Sequence, residues 1–222
     1  MELRELLEIR RGVTALIGGG GKTAAMYVLA RELTALGTVV CCTTTHIRPP
    51  DHLPVLEGAD EGALAAALAE RRCVCLGERC EDGKLTAPAL GMEAPARLAD
   101  YVLVEADGSR GLPVKAHLAH EPVIPPQTGN VVALVGASGF GQPVREAVHR
   151  WEVFRRLTGA GPEEPVTAEN VAALLKCEGL GDRIFVNQAD GGIPPSVAAL
   201  AERADRPVSA GSLRGGTWIC LS

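Results

Sequence analysis

The sequence predicts an α/β fold, a doubly wound and mainly parallel sheet with helices on both faces. Two observations carry this expectation. Short apolar runs rich in β-branched residues alternate with longer segments of helical composition, the pattern of crossover units whose strands are buried on both sides. The first run, Val13 to Ile17, leads through Gly18-Gly19-Gly20-Gly21-Lys22-Thr23 into a helical segment reaching Leu36. Strand, glycine loop and helix in that order suit phosphate binding, because glycines let backbone N–H groups curl around an anion at a positive helix end.

Taken in order, residues 2–10 read as a short amphipathic helix and 13–17 as the first strand. A helix over 23–36 closes at Gly37, a residue suited to the left-handed turn after a helix. Thr38 to Thr43 is an unbroken apolar, β-branched run and reads as a buried parallel strand. It continues into Thr44-Thr45-His46, at the strand end where ligands of open α/β sheets bind. An Ala-rich helix over 60–71 precedes a strand at 73–76, a β-turn excursion around Asp82-Gly83, and a helix over 93–99. The next buried strand starts at Tyr101 and ends in Glu105 and Asp107. The Pro-rich stretch from Leu112 to Thr128 reads as loop and short helix rather than sheet, with a strand at 131–135 after it. Helices over 143–158 and 167–177 flank the break Gly159-Ala160-Gly161-Pro162. Strands at 183–187, 207–209 and 217–221 and a helix at 195–204 complete the chain. This organisation is read as one domain, 1–222, with a small helical cap around 142–178.

Composition narrows the function classes. The chain has 222 residues, 46% of them hydrophobic, enough for one substantial core. Its net charge of −5 argues against a nucleic-acid or anionic-membrane partner. No run approaches the ~18 apolar residues of a membrane helix, and the amphipathic start lacks a secretory apolar core. A cytoplasmic protein is expected, and seven cysteines, an odd number, fit reduced thiols there. Cys73 and Cys75 alternate on one strand with Cys80 beyond a turn, an arrangement suited either to a soft metal or chalcogen chemistry or to ordinary core packing.

The chemistry-bearing residues converge on a nucleoside triphosphate. Lys22 would place its ammonium on the β- and γ-phosphates and Thr23 would ligate Mg²⁺. The longer phosphate-loop pattern GxxxxGK[ST] requires glycine at position 16, where this chain has Leu16. The match is to GGxGK[ST], the form that resembles ATPases and GTPases of the signal-recognition, Min-protein and nickel-maturation group. Ile17 stands where several of those ATPases carry a lysine that reaches across a dimer, which disfavours a lysine-swapped dimer. Glu105-x-x-Gly108 occupies the place of the acid-x-x-Gly element of P-loop GTPases. Glu105 and Asp107 are therefore read as metal ligands, or as groups that orient the attacking water. Asn187-Gln188-Ala189-Asp190 resembles the guanine-reading N-K-x-D with Gln188 in place of lysine, and Ser209-Ala210 the S-A-x element that supports the guanine oxygen. Thr44, Thr45 and His46 are candidates for a switch or substrate segment, and Arg110 and Lys115 for neutralising phosphate or binding an anionic partner. The spacing of His117, His120 and His149 assigns none of them to a metal.

Read together, IGGGGKT, TTTHI, VEADGSRGLPVK, HEPVIP, VNQAD and GSLRGG resemble the YqeC family of selenium-cofactor biosynthesis proteins, accessory to selenium-dependent molybdenum hydroxylases. The resemblance runs from Ile17 to Gly216. It implies a cytoplasmic P-loop nucleotide-binding maturation factor whose partner is such a hydroxylase or its cofactor machinery. The expected function is thus a Mg²⁺-dependent, GTP- or ATP-binding protein, GTP-hydrolysing by preference, with Lys22, Glu105 and Asp107 as its catalytic groups. A small-molecule phosphotransferase or ligase using Thr45, His46, Arg110 or Lys115, and a nucleotide-gated binding module without useful hydrolysis, are the alternatives.

Overall fold

A computed structural model describes all of residues 1–222, and the chain divides into two compact units. The first comprises residues 1–16, 23–108 and 123–130, the second 17–22, 109–122 and 131–222. Each is a mainly parallel sheet with helical connections, and the chain as a whole is of the α/β, doubly wound class of P-loop type.

In the first unit, α1 (Leu3–Leu6) is one turn whose leading amides, Leu3 N and Arg4 N, donate to the Glu32 carboxylate at 3.0 and 2.8 Å. The helix expected over 2–10 stops early because the backbone turns left-handed at Glu8, with φ 47°. β1 (Gly12–Gly18), α2 (Lys22–Leu33), β2 (Val39–Thr43) and β3 (Val55–Leu56) follow. Gly37, expected for a left-handed turn, has no positive φ; a Cβ there would lie 2.7 Å from the Cβ of Asp100, so close approach is what requires glycine. α3 (Glu61–Arg71) is capped by Asp60, which accepts from Ala63 N at 2.8 Å. β4 (Cys73–Leu76), the hairpin of β5 (Glu78–Arg79) and β6 (Leu85–Thr86), α4 (Glu93–Leu98) and β7 (Tyr101–Glu105) complete the unit.

Its strands lie in the order β1-β7-β2-β4-β3, all parallel. Every residue of β2, β4 and β7 is buried, which is why these strands read as continuous apolar runs rather than alternations. One face presents Val40, Cys42, Val74, Leu76, Val102 and Val104 to Leu64 and Leu68 of α3. Each leucine buried this way contributes roughly 1.5–3 kcal/mol. The register sets Leu16 and Thr43 on either side of Glu105, so the acid stands at the carboxyl ends of its neighbours.

In the second unit, β8 (Val114–Lys115) pairs with β10 (Val148–His149), and β9 (Thr128–Gly136) precedes a 3₁₀ turn at Ala137–Gly139. The stretch from Leu112 to Thr128, expected as loop and short helix, thus contributes a short ladder and the first residue of β9. The helix expected over 143–158 is split into α5 (Val144–Ala147) and α6 (Trp151–Thr158). The β-branched Val148 enters the ladder with β8, and Arg150 takes a left-handed conformation, φ 65°, that no helix interior tolerates. Gly159 ends α6 in the left-handed turn its sequence break suggested. α7 (Ala168–Glu178), β11 (Arg183–Asn187), α8 (Pro195–Arg203), β12 (Val208–Ser212) and β13 (Thr217–Cys220) follow. β9, β11 and β12 run parallel, and β13 is antiparallel to β12. No helix is long and apolar enough to cross a membrane.

Candidate functional site

The glycine loop is built by close backbone approach. Gly18, Gly20 and Gly21 adopt φ of 94°, 79° and 115°, a region costly for any other residue. A Cβ on Gly19 would sit 2.6 Å from Pro113 O, and one on Gly20 would sit 2.5 Å from the Gly136 Cα. Gly19 N donates to Leu134 O at 2.9 Å and Gly20 N to Leu112 O at 3.2 Å. Lys22, buried, donates from Nζ to Gly18 O at 2.5 Å. The ammonium thus folds back over the loop it follows.

Within the first unit, the Thr23 hydroxyl donates to Glu105 Oε2 at 2.6 Å. Thr23 lies in the first turn of α2 and Glu105 ends β7, so the start of the helix and the strand's terminal acid bring two oxygen donors together. Thr43 Oγ1 donates to Glu105 O at 2.8 Å and accepts from Thr45 N at 2.9 Å, which fixes the turn after β2 beside the acid. Thr44 Oγ1 donates to Val123 O at 2.8 Å, and His46 is exposed. Asp107, on the loop after β7, is fully buried. A hydroxyl and a carboxylate oxygen are the hard donors Mg²⁺ prefers, and a loop that tolerates no Cβ is a fit cradle for phosphate. These residues therefore suit the nucleotide and metal the sequence suggested.

Asn187, at the end of β11, spends both ends of its amide inside the second unit. Nδ2 donates to Gly20 O at 2.7 Å, and Oδ1 accepts from Leu213 N at 3.0 Å. Gln188 turns left-handed, φ 67°, and its Oε1 accepts from Ser138 Oγ at 2.6 Å. Asp190 is exposed and accepts a short hydrogen bond from the Ser212 hydroxyl, whose oxygen accepts from Gly215 N at 2.8 Å. Ser209 and Ala210, expected just beyond a strand at 207–209, lie buried inside β12 because its pairing with β13 continues to Ser212. The residues that meet Asn187 and Asp190 are Leu213 and Ser212. Only long-range geometry identifies them, although both lie in the GSLRGG motif.

Lys115 has no exposed side-chain surface and pairs with Glu121 at 3.3 Å, while Arg150 approaches the same carboxylate at 3.6 Å. Burial, the largest single effect, would raise the Glu121 pKa, but the Lys115 charge and hydrogen bond, the backbone hydrogen bond with Leu118 and the Arg150 charge together outweigh it and hold the carboxyl low. Burial, then the charges of Lys115, Arg150 and Arg110, push His149 below its ordinary value. Glu121 and Arg150 were not singled out by sequence, although HEPVIP contains Glu121. Arg110 and His120 are exposed, and His117 pairs with Glu178 at 2.8 Å. Cys73 and Cys75 are buried in β4 whereas Cys80 follows β5. No group of three or more His, Cys, Asp or Glu side chains is arranged to hold a metal ion.

Comparison with known proteins bears on the same residues. A family model described as "YqeC protein" matches residues 14–152, which include the glycine loop, Glu105, Asp107 and Lys115. A protein of Escherichia coli (strain K12) described as "Uncharacterized protein YqeC" is 36% identical over 175 residues, covering 75% of this chain and 68% of the relative. No solved structure matches.

Proposed function

The chain belongs to the YqeC family, and we propose that it is a Mg²⁺-dependent nucleoside triphosphate-binding protein that hydrolyses GTP while preparing or inserting a selenium- or molybdenum-containing cofactor for a hydroxylase. The observation that carries this reading is the 2.6 Å hydrogen bond from the Thr23 hydroxyl to Glu105, just after a loop in which Gly18, Gly19 and Gly20 leave no room for a Cβ. Lys22 would exchange its bond to Gly18 O for the β- and γ-phosphates. Thr23 and Glu105 would hold Mg²⁺, whose charge offsets that of the phosphates. Asp107 would orient the attacking water or share the metal. Asn187 keeps the loop in place, and Asp190 would exchange the Ser212 hydroxyl for the N1 and N2 donors of guanine. Adenine offers no such donor pair, which favours GTP by about 1–3 kcal/mol.

Titration calorimetry with Mg·GTP and Mg·ATP, together with phosphate release, tests this reading. Thr23→Ala and Glu105→Gln are expected to weaken Mg²⁺-dependent binding at least about tenfold, equivalent to ~1.4 kcal/mol. Asp190→Ala is expected to abolish a preference for GTP. Unchanged affinity in both Thr23→Ala and Glu105→Gln, or a parent protein that prefers ATP, refutes the assignment of metal or base respectively.

A further inference from the structure

The first unit also encloses a cavity of about 620 Å³ that the nucleotide reading leaves unused. Tyr27, Arg31 and Thr34 of α2 form one wall, His52 and its neighbours another, and Arg71 and Cys73 the third. The thiol of Cys73 begins β4 at the cavity wall, 6% exposed. Register places Cys73 beside Val39 and Cys75 beside Cys41, so Cys41, Cys73 and Cys75 share one face of the sheet. The ring of Tyr27 meets His52 edge-on at 4.8 Å, and its hydroxyl is buried without a hydrogen-bond partner. Arg31 and Arg71 are exposed at the mouth, Arg71 shared with Glu70 at 2.9 Å. A buried thiol and two guanidinium groups around one cavity describe a place for a small, acidic, sulfur-containing molecule.

We propose that this cavity is a thiol-exchange site in which Cys73 takes up a small anionic disulfide of the glutathione class, its carboxylates held by Arg31 and Arg71. The Cys73 thiolate attacks one sulfur of the disulfide. A new S–S bond forms to Cys73, the ligand's own S–S bond breaks, and the departing thiolate takes a proton from water, so no further oxidant is needed. The hydrogen bond from the Cys41 thiol lowers the Cys73 pKa against the effect of burial, whereas burial pushes Cys75 up to about 12. The nucleophilic thiolate therefore forms more readily at Cys73 than at Cys75 one pleat away.

The test incubates the full chain with oxidised glutathione or with cystamine, which is cationic, and maps modified peptides by mass spectrometry without reduction. Cys73 is expected to react with oxidised glutathione about tenfold faster than the exposed Cys177 and Cys220. Arg31→Glu, or the milder Arg31→Gln should the first fold poorly, is expected to slow that reaction severalfold while leaving cystamine as fast or faster. Cys73 reacting no faster than Cys177 and Cys220, or a charge change that slows both reagents equally, overturns the proposal.

Discussion

Replacing Asn187 by alanine removes one side chain that joins two segments far apart in sequence. Its amide donates to Gly20 O at 2.7 Å and accepts from Leu213 N at 3.0 Å, and all three residues are buried. Each buried partner left without a hydrogen bond costs about 1–3 kcal/mol, reduced where water enters the space. A loss of about 2–4 kcal/mol is expected. With an m value of roughly 3 kcal/mol/M, the urea midpoint falls by about 1 M. Trp151 and Trp218 both lie in the second unit, as do Gly20, Asn187 and Leu213, so intrinsic fluorescence reports the unit that is perturbed. Asn187→Asp separates lost bonding from lost volume: it keeps an acceptor for Leu213 N but turns a carboxylate toward Gly20 O, and is expected to be at least as damaging. An alanine variant within ~0.5 kcal/mol of the parent, or an aspartate variant as stable as the parent, would refute the view that this amide fastens the loop.

Gly20 and Gly111 have nearly equal φ, 79° and 78°, but a Cβ meets the Gly136 backbone at the first and open space at the second. Gly111→Ala should cost only the left-handed backbone term of about 1–2 kcal/mol, and Gly20→Ala several more; equal losses in thermal midpoint would show that close packing of the loop is unimportant. The fold favours neutral His149, because burial and the Lys115, Arg150 and Arg110 charges lower its pKa from 6.5. Its contribution to stability is fully present above the unfolded value and is lost as pH falls through the lowered folded one. His149→Gln should therefore flatten the stability decline below pH 6.5 relative to the parent; parallel urea-midpoint profiles for the two proteins would contradict this.

Elements governed by local pattern were legible in the sequence. β2, β4 and β7 announced themselves as unbroken apolar runs because both of their faces are covered, and the strand–glycine–helix order located the loop. What was illegible depends on partners distant in sequence. Nothing local marks Val114–Lys115 as a strand; two residues become one only when Val148–His149 arrives alongside. The helical composition of 143–158 concealed the left-handed Arg150 for the same reason. At the candidate site, residue types and order singled out Thr23, Glu105 and Asn187 as candidates, but did not show that Asn187 reaches Gly20 or that Ser212 engages Asp190. β12 outlasted its expected end because β13 folds back on it, and that placed Ser209 and Ala210 inside a strand.

The hydrogen bonds of the loop also limit how it can serve phosphate. A glycine-rich sequence suggests a run of amides all turned toward the anion, yet Gly19 N and Gly20 N are committed to Leu134 O and Leu112 O. Those two bonds give the loop its shape, and a buried amide that gave one up would need an equally good acceptor. In the proposed nucleotide complex, donation to phosphate would therefore fall to the later part of the loop, from Gly21 onward, where the helix dipole would add to it. The carbonyls divide in the same way. Gly20 O is held by Asn187 and Gly18 O by the Lys22 ammonium. Lysine can transfer its bond to a phosphate oxygen with a gain in charge pairing, whereas asparagine would gain nothing by letting go. Triphosphate binding should thus move Lys22 and leave Asn187 where it is, with the element that would read the base already fastened to the loop before any nucleotide arrives.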